Sequence, residues 1–256
     1  EDRWGGEMNW NKSYRGTNLV YGESIYTSRQ EVIGKYQLPF SEKIYFSFSA
    51  TNHNQNSYYG TTKYAAQQQI GFGQLTWDKK IDSHDLLIGG AYRYQFYNDN
   101  TTATVKPERT QIFSIFGQDE IKLAKMHSVL LGSRLDYNNN HGYIYTPRMA
   151  YKWKFTDSDI FRINAGTGFR VVNLFTEEHA ALTGSRDVVV TENLNPEKSF
   201  NVNINYLKKV RFENVSSLGF DISAWYTHFS NQIIPDYDTN PNQIIYKNLN
   251  GFSETK

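Results

Sequence analysis

The chain has 256 residues, enough for one large β-domain or two ordinary ones, and it carries 19 Tyr, 16 Phe and 5 Trp. It contains no cysteine, which excludes disulfides and thiolate metal sites, and its net charge of +1 gives no electrostatic argument for nucleic acid as a partner. No apolar run approaches the roughly 18 residues of a transmembrane helix. Membrane-crossing strands are not excluded, because they hide one apolar face inside a polar sequence.

The first half of the chain shows apolar and polar residues in alternation, the pattern of a β-strand with one apolar face. Residues 44–50, 86–96 and 129–135 follow it closely. Residues 65–78 and 110–123 follow it less well, because glutamines fall on both faces of the former and Asp119 interrupts the apolar set of the latter.

The second half alternates more strictly, over residues 145–155, 161–169, 199–206 and 218–227. We predict that the apolar members of its last three strands point outward to lipid: Phe161, Ile163, Phe169, Phe200, Val202, Ile204, Phe220 and Ile222. In all, the sequence predicts roughly eleven strands of about ten or more residues, where about five or six is usual. Strands of about ten residues suit a tilted crossing of a bilayer.

The connections between these strands alternate in length. Short turns are predicted at 39–42, 79–83, 124–126, 156–158 and near 211–216. Longer polar segments are predicted at 52–64, 98–109, 138–142, 171–196 and 231–243. Alternation of short and long connections is typical of an antiparallel up-and-down transmembrane β-barrel, with periplasmic turns and extracellular loops. A soluble β-sandwich has no reason to sort its loops in this way.

Several motifs occur in a fixed order along these strands. They are Ile115-Phe-Gly-Gln-Asp-Glu-Ile121, Leu131-Gly-Ser-Arg-Leu-Asp-Tyr137, Tyr145-Thr-Pro-Arg148, Arg162-Ile-Asn-Ala-Gly-Thr-Gly-Phe-Arg170 and Asn193-Leu-Asn-Pro-Glu-Lys-Ser199. Together they resemble the TonB-dependent outer-membrane receptor family over roughly residues 29–252. One departure is Val171-Val172, where the family usually has Ala-Pro.

The resemblance implies a bacterial outer-membrane protein whose 22-strand barrel is plugged by an N-terminal domain. Residues 1–256 would then be one partial barrel domain, about half of the barrel, with the plug and the TonB box outside this chain. The implied function is ligand-specific active import, with a siderophore- or cobalamin-type chelate as the expected cargo. The implied partners are the TonB complex, the protein's own plug, outer-membrane lipid and the imported small ligand, with no nucleic acid and no cofactor.

Two groups of site residues are predicted. Aromatic and histidine side chains on extracellular loops could contact a bulky ligand: Tyr58, Tyr59, Tyr97, Tyr143, His179 and Tyr237. Charged residues of the polar strand faces are expected to face the lumen and the plug: Arg134, Asp136, Arg148, Lys152, Arg162 and Asp221. An Arg or Lys facing lipid at mid-bilayer would cost about 2–4 kcal/mol, which places these charges inward.

The sequence favours neither catalysis nor a resident metal. The segment from Asp236 opens with the spacing of a calcium loop, but Pro241 stands where that loop needs Gly, and Lys247 where it needs Glu. No nucleophile elbow or pair of catalytic carboxylates is recognisable, so no enzyme activity is predicted. Two other functions stay open, a passive porin and a secreted carbohydrate-binding or adhesive β-protein.

Overall fold

The computed structural model describes residues 2–171, 186–192, 194–212, 216–249 and 251–255. Within these ranges the chain forms fifteen strands and one short 3-10 helix, Lys12–Tyr14. The strands are β1 (Asp2–Gly6), β2 (Gly22–Gln37), β3 (Lys43–Tyr59), β4 (Thr62–Ile81), β5 (His84–Asp99), β6 (Glu108–Ala124), β7 (His127–Asn138), β8 (Gly142–Lys154), β9 (Asp159–Arg170), β10 (Asp187–Val190), β11 (Glu197–Arg211), β12 (Ser217–Phe229), β13 (Ile233–Asp236), β14 (Gln243–Asn248) and β15 (Ser253–Thr255).

Twelve strands form one antiparallel up-and-down sheet in the order β1 to β9, then β11, β12 and β15. Strands β10, β14 and β13 form a separate small sheet. Within the described residues, β1 and β15 are the edges of the large sheet, so it is an open wall and not a closed barrel. The predicted all-β architecture is confirmed, with twelve strands in the wall instead of about eleven. In the part of the chain described here, no helix has the length and apolar character to cross a membrane.

The register gives the large sheet two distinct faces, because directly paired residues of antiparallel strands point to the same side. Ile163 pairs with Ile204, and Tyr206 pairs with both Phe161 and Ile222. The predicted lipid-facing residues therefore share one face, which we call the apolar face. They are not packed in a core, since Ile222, for example, is 64% exposed. The opposite side is the polar face.

The two ends of the sheet differ in their connections. One end, the turn end, carries the short connections 38–42, 82–83, 125–126, 155–158 and 212–216, close to the predicted turns. The other, the loop end, carries the long connections 7–21, 100–107, 171–196 and 230–252. It also carries two short ones, 60–61 and 139–141.

The long loop predicted at 52–64 is wrong. Strands β3 and β4 continue through it and are joined by a two-residue turn in which Gly60 has φ of 57°. On the apolar face Asn52 pairs with Gln69 and Asn54 with Gln67, so the hairpin extends beyond the apolar band with both faces polar. Polar residues on both faces remove the alternation that identifies a strand, and the segment therefore resembles a loop in the sequence.

Three of the long connections share an apolar cluster at the loop end. It consists of Val188, Ile233, Ile244 and Tyr246, with Ala103 and Leu194 packed against it. Strand β10, from the connection after β9, pairs in parallel with β14, from the connection after β12. We call residues 186–192 together with 230–249 the loop cap. It joins two connections that are far apart in sequence into one small folded unit.

Candidate functional site

The register places all six predicted lumen charges on the polar face. Lys152 pairs with Ser128 on one side and with Arg162 on the other. Arg134 and Asp136 lie on the same side of β7, and Arg148 follows on β8. Asn205 pairs with Arg162, and Leu207 of that face pairs with Asp221. Their expected contact with a plug stays a prediction.

Arg134 and Asp136 form the most buried ionic group of this face. The Arg134 Nε donates to both carboxylate oxygens of Asp136, at 2.9 and 3.0 Å, and its Nη2 donates to the Ser114 hydroxyl at 2.7 Å. The Ser114 hydroxyl in turn donates to Asp136 at 2.5 Å. Asp136 is completely buried, so its charge depends on the three hydrogen bonds that it accepts from Arg134 and Ser114.

Lys152, Arg162 and Asp221 link neighbouring strands near the turn end of the sheet. Lys152 forms an ion pair with Glu120, 3.0 Å between the charged atoms, and Ser128 donates to the same carboxylate at 3.1 Å. Arg162 donates to the Asn205 side chain at 3.1 Å. The Asn205 amide also donates to Asp221, so three strands are linked through side chains.

Arg148 occupies a groove made by two glycines. Its register partners are Gly132 on β7 and Gly166 on β9. A Cβ added at Gly132 would approach the Arg148 Nε to 3.0 Å, and one at Gly166 would approach the Arg148 Cβ to 3.2 Å. The Arg148 guanidinium donates to the Gln118 side chain. These glycines therefore make room for a large cation against the wall.

A cavity of about 630 Å³ opens on the polar face towards the loop end. Its wall contains three arginines and two acidic residues, with neutral amides and Phe72 between them. These charged residues are Arg93, Arg134, Arg170, Glu108 and Asp136. Arg170 pairs with the nearly buried Glu197, at 2.5 Å. Arg93 donates to the neutral side chain of Gln95 at 3.0 Å. The sequence prediction omitted Arg93, Glu108 and Arg170, although the alternation places Arg93 on the polar side of its strand.

Tyr97 was predicted to lie on an extracellular loop, and this prediction is wrong. Tyr97 belongs to β5, lies on the polar face and is 4% exposed. Its hydroxyl lies 3.4 Å from that of Tyr64 and donates to Asp99 at 2.5 Å. Asp99 also accepts bonds from Thr101 and Thr104 at 2.7 and 2.9 Å. The cluster therefore anchors the connection between β5 and β6. Tyr59, also expected on a loop, is likewise buried at the end of β3.

The other predicted ligand contacts that the structure describes lie apart from one another. Tyr58 is the penultimate residue of β3 and lies on the apolar face, with the Arg15 guanidinium 4.5 Å from its ring centre. Tyr143 is on the apolar face, 76% exposed, and stacks at an angle on Tyr137. Tyr237 is exposed in the loop cap. His179 lies outside the described residues. Among the described residues, the structure does not bring Tyr58, Tyr143 and Tyr237 into one site.

In a calcium loop the carboxylate of Asp236 would bind the ion. Here its oxygens are bonded to other groups of the protein instead. Its oxygens accept bonds from the Thr239 amide at 3.0 Å and hydroxyl at 2.8 Å, and from the Asp238 amide. Lys247 pairs with it at 3.2 Å. The bonds from Thr239, together with Lys247, hold the pKa of Asp236 well below its ordinary value. Within the described residues, no cluster of three or more His, Asp or Glu side chains could hold a metal ion.

The long strands, the apolar face exposed in a band and the polar face lined with charges define a transmembrane β-barrel wall. Residues 2–256 match the family described as TonB dependent receptor-like, beta-barrel. The chain belongs to this family of outer-membrane receptors. The motif-based resemblance is thereby confirmed.

Known relatives agree with this assignment. The chain is 25% identical over 159 residues to an iron-regulated outer membrane virulence protein of Vibrio cholerae, a match that covers 60% of this chain and 24% of that protein. Among solved structures, the siderophore receptor PirA from Pseudomonas aeruginosa is similar with a TM-score of 0.70 and 14% identity, covering 91% of this chain and 45% of that one. The FrpB iron transporter from Neisseria meningitidis has a TM-score of 0.67 and 10% identity, covering 92% and 40%. The chain thus spans less than half the length of these relatives.

Proposed function

We propose that the receptor containing this chain imports an anionic iron chelate of the siderophore class across the outer membrane, with energy from TonB. The proposal draws its transport class from the family and its cargo from the names of the relatives. The observation that carries the choice of an anionic chelate is the cavity of about 630 Å³, whose wall holds three guanidinium groups.

Arg93 is the charge of this cavity that favours an anion, because Arg134 pairs with Asp136 and Arg170 with Glu197. Asp136 is buried beneath Arg134, so its negative charge is already balanced on the wall side. Arg93 bonds to a neutral amide, which leaves its positive charge available to a ligand. A charge-assisted hydrogen bond to an anion contributes about 1.5–3 kcal/mol.

The cavity also lies where a ligand would arrive. Glu108 begins β6 directly after the connection 100–107, and Arg170 ends β9 directly before the connection 171–196. Ala103 of the first connection packs against the apolar cluster of the loop cap. A ligand that reaches the polar face from the loop end would therefore meet Glu108, Arg170 and the cap before the lower wall.

Two measurements test this function. Cells that lack the gene should fail to grow when iron is supplied only as ferric enterobactin, the anionic chelate bound by some structural relatives, and should grow normally on free iron. In the intact purified receptor, Arg93→Gln should weaken binding of this chelate by about tenfold, the loss of about 1.4 kcal/mol. Arg29→Gln is the matched control, because Arg29 lies on the same face outside the cavity and pairs with Glu31.

The same binding assay separates the alternatives. Neutral cyanocobalamin should not compete with the chelate; competition at similar concentration would favour a cobalamin-type receptor. Free diffusion of unrelated solutes through the reconstituted receptor would favour a porin. A receptor that stays soluble without detergent would favour a secreted binding protein.

A further inference from the structure

The wall contains a split between β8 and β9. Their ladder runs from Lys154–Ile160 to Arg148–Gly166 and ends there, at Pro147. Proline has no backbone N–H to donate, so a ladder cannot pass through it on the side facing the neighbouring strand. Above this point β8 continues to Gly142 along β7, and β9 continues to Arg170 along β11. We call the gap between residues 142–147 and 167–170 the seam.

A continuous cleft follows the seam on the apolar face. Two adjoining cavities, of about 680 and 490 Å³, share Thr167 and Phe200 in their walls. Small residues form the floor of the cleft near Pro147 and Thr167, and the aromatic rings of Tyr145 and Phe200 stand at its sides. Tyr145 is 62% exposed and Phe200 44% exposed, so the cleft is accessible from the apolar face.

A lysine stands at the rim of the cleft nearest the loop end. Lys198 pairs with Phe169 on the apolar face and lines the uppermost cavity together with Tyr145 and Phe200. Among the described residues, no carboxylate lies within 4 Å of its ammonium group, although its neighbour His228 has Glu254 at 3.7 Å. Lys198 lies beside Tyr145 and Phe200 on the side of the loop end. This is the position of a lysine at the membrane interface, where its ammonium group can contact lipid phosphates.

We propose that the seam is a binding site for a phosphorylated membrane lipid. One acyl chain would lie in the cleft between Pro147, Thr167 and Phe200, and the phosphate would contact Lys198. The apolar face of the wall contacts lipid, so a lipid is the molecule present at this surface. Among the described residues, no ladder joins residues 142–147 of β8 to residues 167–169 of β9. Hydrocarbon alone cannot form hydrogen bonds with the backbone groups along these edges. Ester and phosphate oxygens of a lipid can accept hydrogen bonds from such N–H groups.

This proposal depends on the family and on the strand register, and it does not depend on which ligand is imported. Its test therefore uses the intact receptor without any transport substrate. Native mass spectrometry of the receptor, released from detergent micelles, would count the lipids retained from phosphatidylglycerol and from phosphatidylcholine with identical acyl chains. The first lipid carries a net negative charge and the second does not.

We expect the receptor to retain one phosphatidylglycerol more tightly than phosphatidylcholine. Lys198→Ala should weaken this retention by about fivefold, the contribution of one lysine near an anionic headgroup. Thr167→Phe should fill the cleft and abolish retention of both lipids. Lys63→Ala is the matched control, because Lys63 is also an exposed lysine of the apolar face near the loop end, but it lies outside the seam.

Three results would overturn the proposal. The first is equal retention of both lipids by the unsubstituted receptor. The second is a loss in Lys63→Ala as large as that in Lys198→Ala. The third is displacement of the bound lipid by glycerol phosphate alone, which would reveal a site for free phosphate with no use for the acyl chain. Folded receptor is verified in each variant by resistance to denaturation at room temperature.

Discussion

At the scale of single residues, the polar face depends on charges that are neutralised locally. Asp136 is the clearest case, since it is fully buried and accepts three hydrogen bonds from Arg134 and Ser114. Removing one partner from such a group leaves a buried charge or donor unsatisfied, and this costs more than removing the whole group.

The first prediction follows from this group. Asp136→Ala should lower the free energy of unfolding of the receptor by about 1–3 kcal/mol, because the Arg134 guanidinium and Ser114 hydroxyl lose their acceptor. The double substitution with Arg134→Ala should cost less than the sum of the two single ones. Urea unfolding in lipid vesicles, followed by tryptophan fluorescence, measures these values. Asp157→Ala, at a fully exposed turn position, should have almost no effect. Strict additivity would show that the pair contributes nothing as a unit.

The sequence predicted the faces of individual residues better than their surroundings. Period-two alternation depends only on the backbone geometry of a strand, so it placed Arg148 and Arg162 on one face correctly. It could not identify the burial of Tyr97, because this burial depends on Tyr64 of the neighbouring strand and on the connection that follows Asp99. Contacts between strands depend on register, which local alternation does not specify.

At the scale of elements, the loop cap is the feature that the sequence did not predict. The segments 171–196 and 231–243 were predicted as long polar connections, but β10 in the first pairs with β14, which begins at the end of the second. The Asn248 amide donates to Glu192 at 2.7 Å and the Ile233 amide to Glu197 at 2.9 Å, so each connection supports the other. Pairing of two short strands from distant connections leaves no periodic signal in either one.

The second prediction concerns the effect of pH on the loop cap. The pKa of Asp236 is lowered by its bonds from Thr239 and Lys247, so its contribution to stability is complete above the ordinary aspartate value of about 3.9. The contribution is lost as the pH falls through the lower pKa of the folded state. Amide exchange in β13 and β14 should therefore be constant from pH 7 to 5, after correction for the intrinsic rate, and rise below pH 4. Asp236→Asn should make it less dependent on pH. An equal rise in Asp236→Asn would assign the change to another group.

The third prediction is that import requires the two connections of the loop cap to separate. Val189 of β10 pairs with Ile245 of β14, so Val189→Cys with Ile245→Cys should form a disulfide between them. Uptake of ferric enterobactin should stop in the oxidised form and return after reduction. The matched control is Ile234→Cys with Lys247→Cys, a register pair within one connection, which should leave uptake unchanged. Normal uptake by the oxidised first variant would show that the cap need not open.

At the scale of the whole molecule, the family and the separation of long from short connections predict which end of the sheet lies on which side of the membrane. The loop end is expected to be extracellular and the turn end periplasmic. The chain contains no cysteine, so introduced cysteines have no background within it. As the fourth prediction, Asn242→Cys in the loop cap should react with a membrane-impermeant maleimide on intact cells. Asp157→Cys at the turn end should react only after the outer membrane is opened. The opposite pattern would invert the topology.

The last prediction concerns what the polar face is for. In a water-filled porin, Arg148 and Arg162 would set ion selectivity, whereas in a plugged receptor they would pair with the plug. The strand ladders and the lipid contact of the apolar face hold the wall together. Among the described residues, these two arginines donate to the neutral side chains of Gln118 and Asn205. Replacing both arginines with glutamine should therefore leave assembly and heat resistance of the receptor intact. It should also loosen the plug, so that large antibiotics excluded by the unsubstituted receptor enter the cell at lower external concentrations.

Growth inhibition by such antibiotics measures the opening, and the electrophoretic shift on heating measures assembly. Loss of assembly with unchanged antibiotic sensitivity would show that Arg148 and Arg162 are structural, and that the polar face does not hold a plug through them.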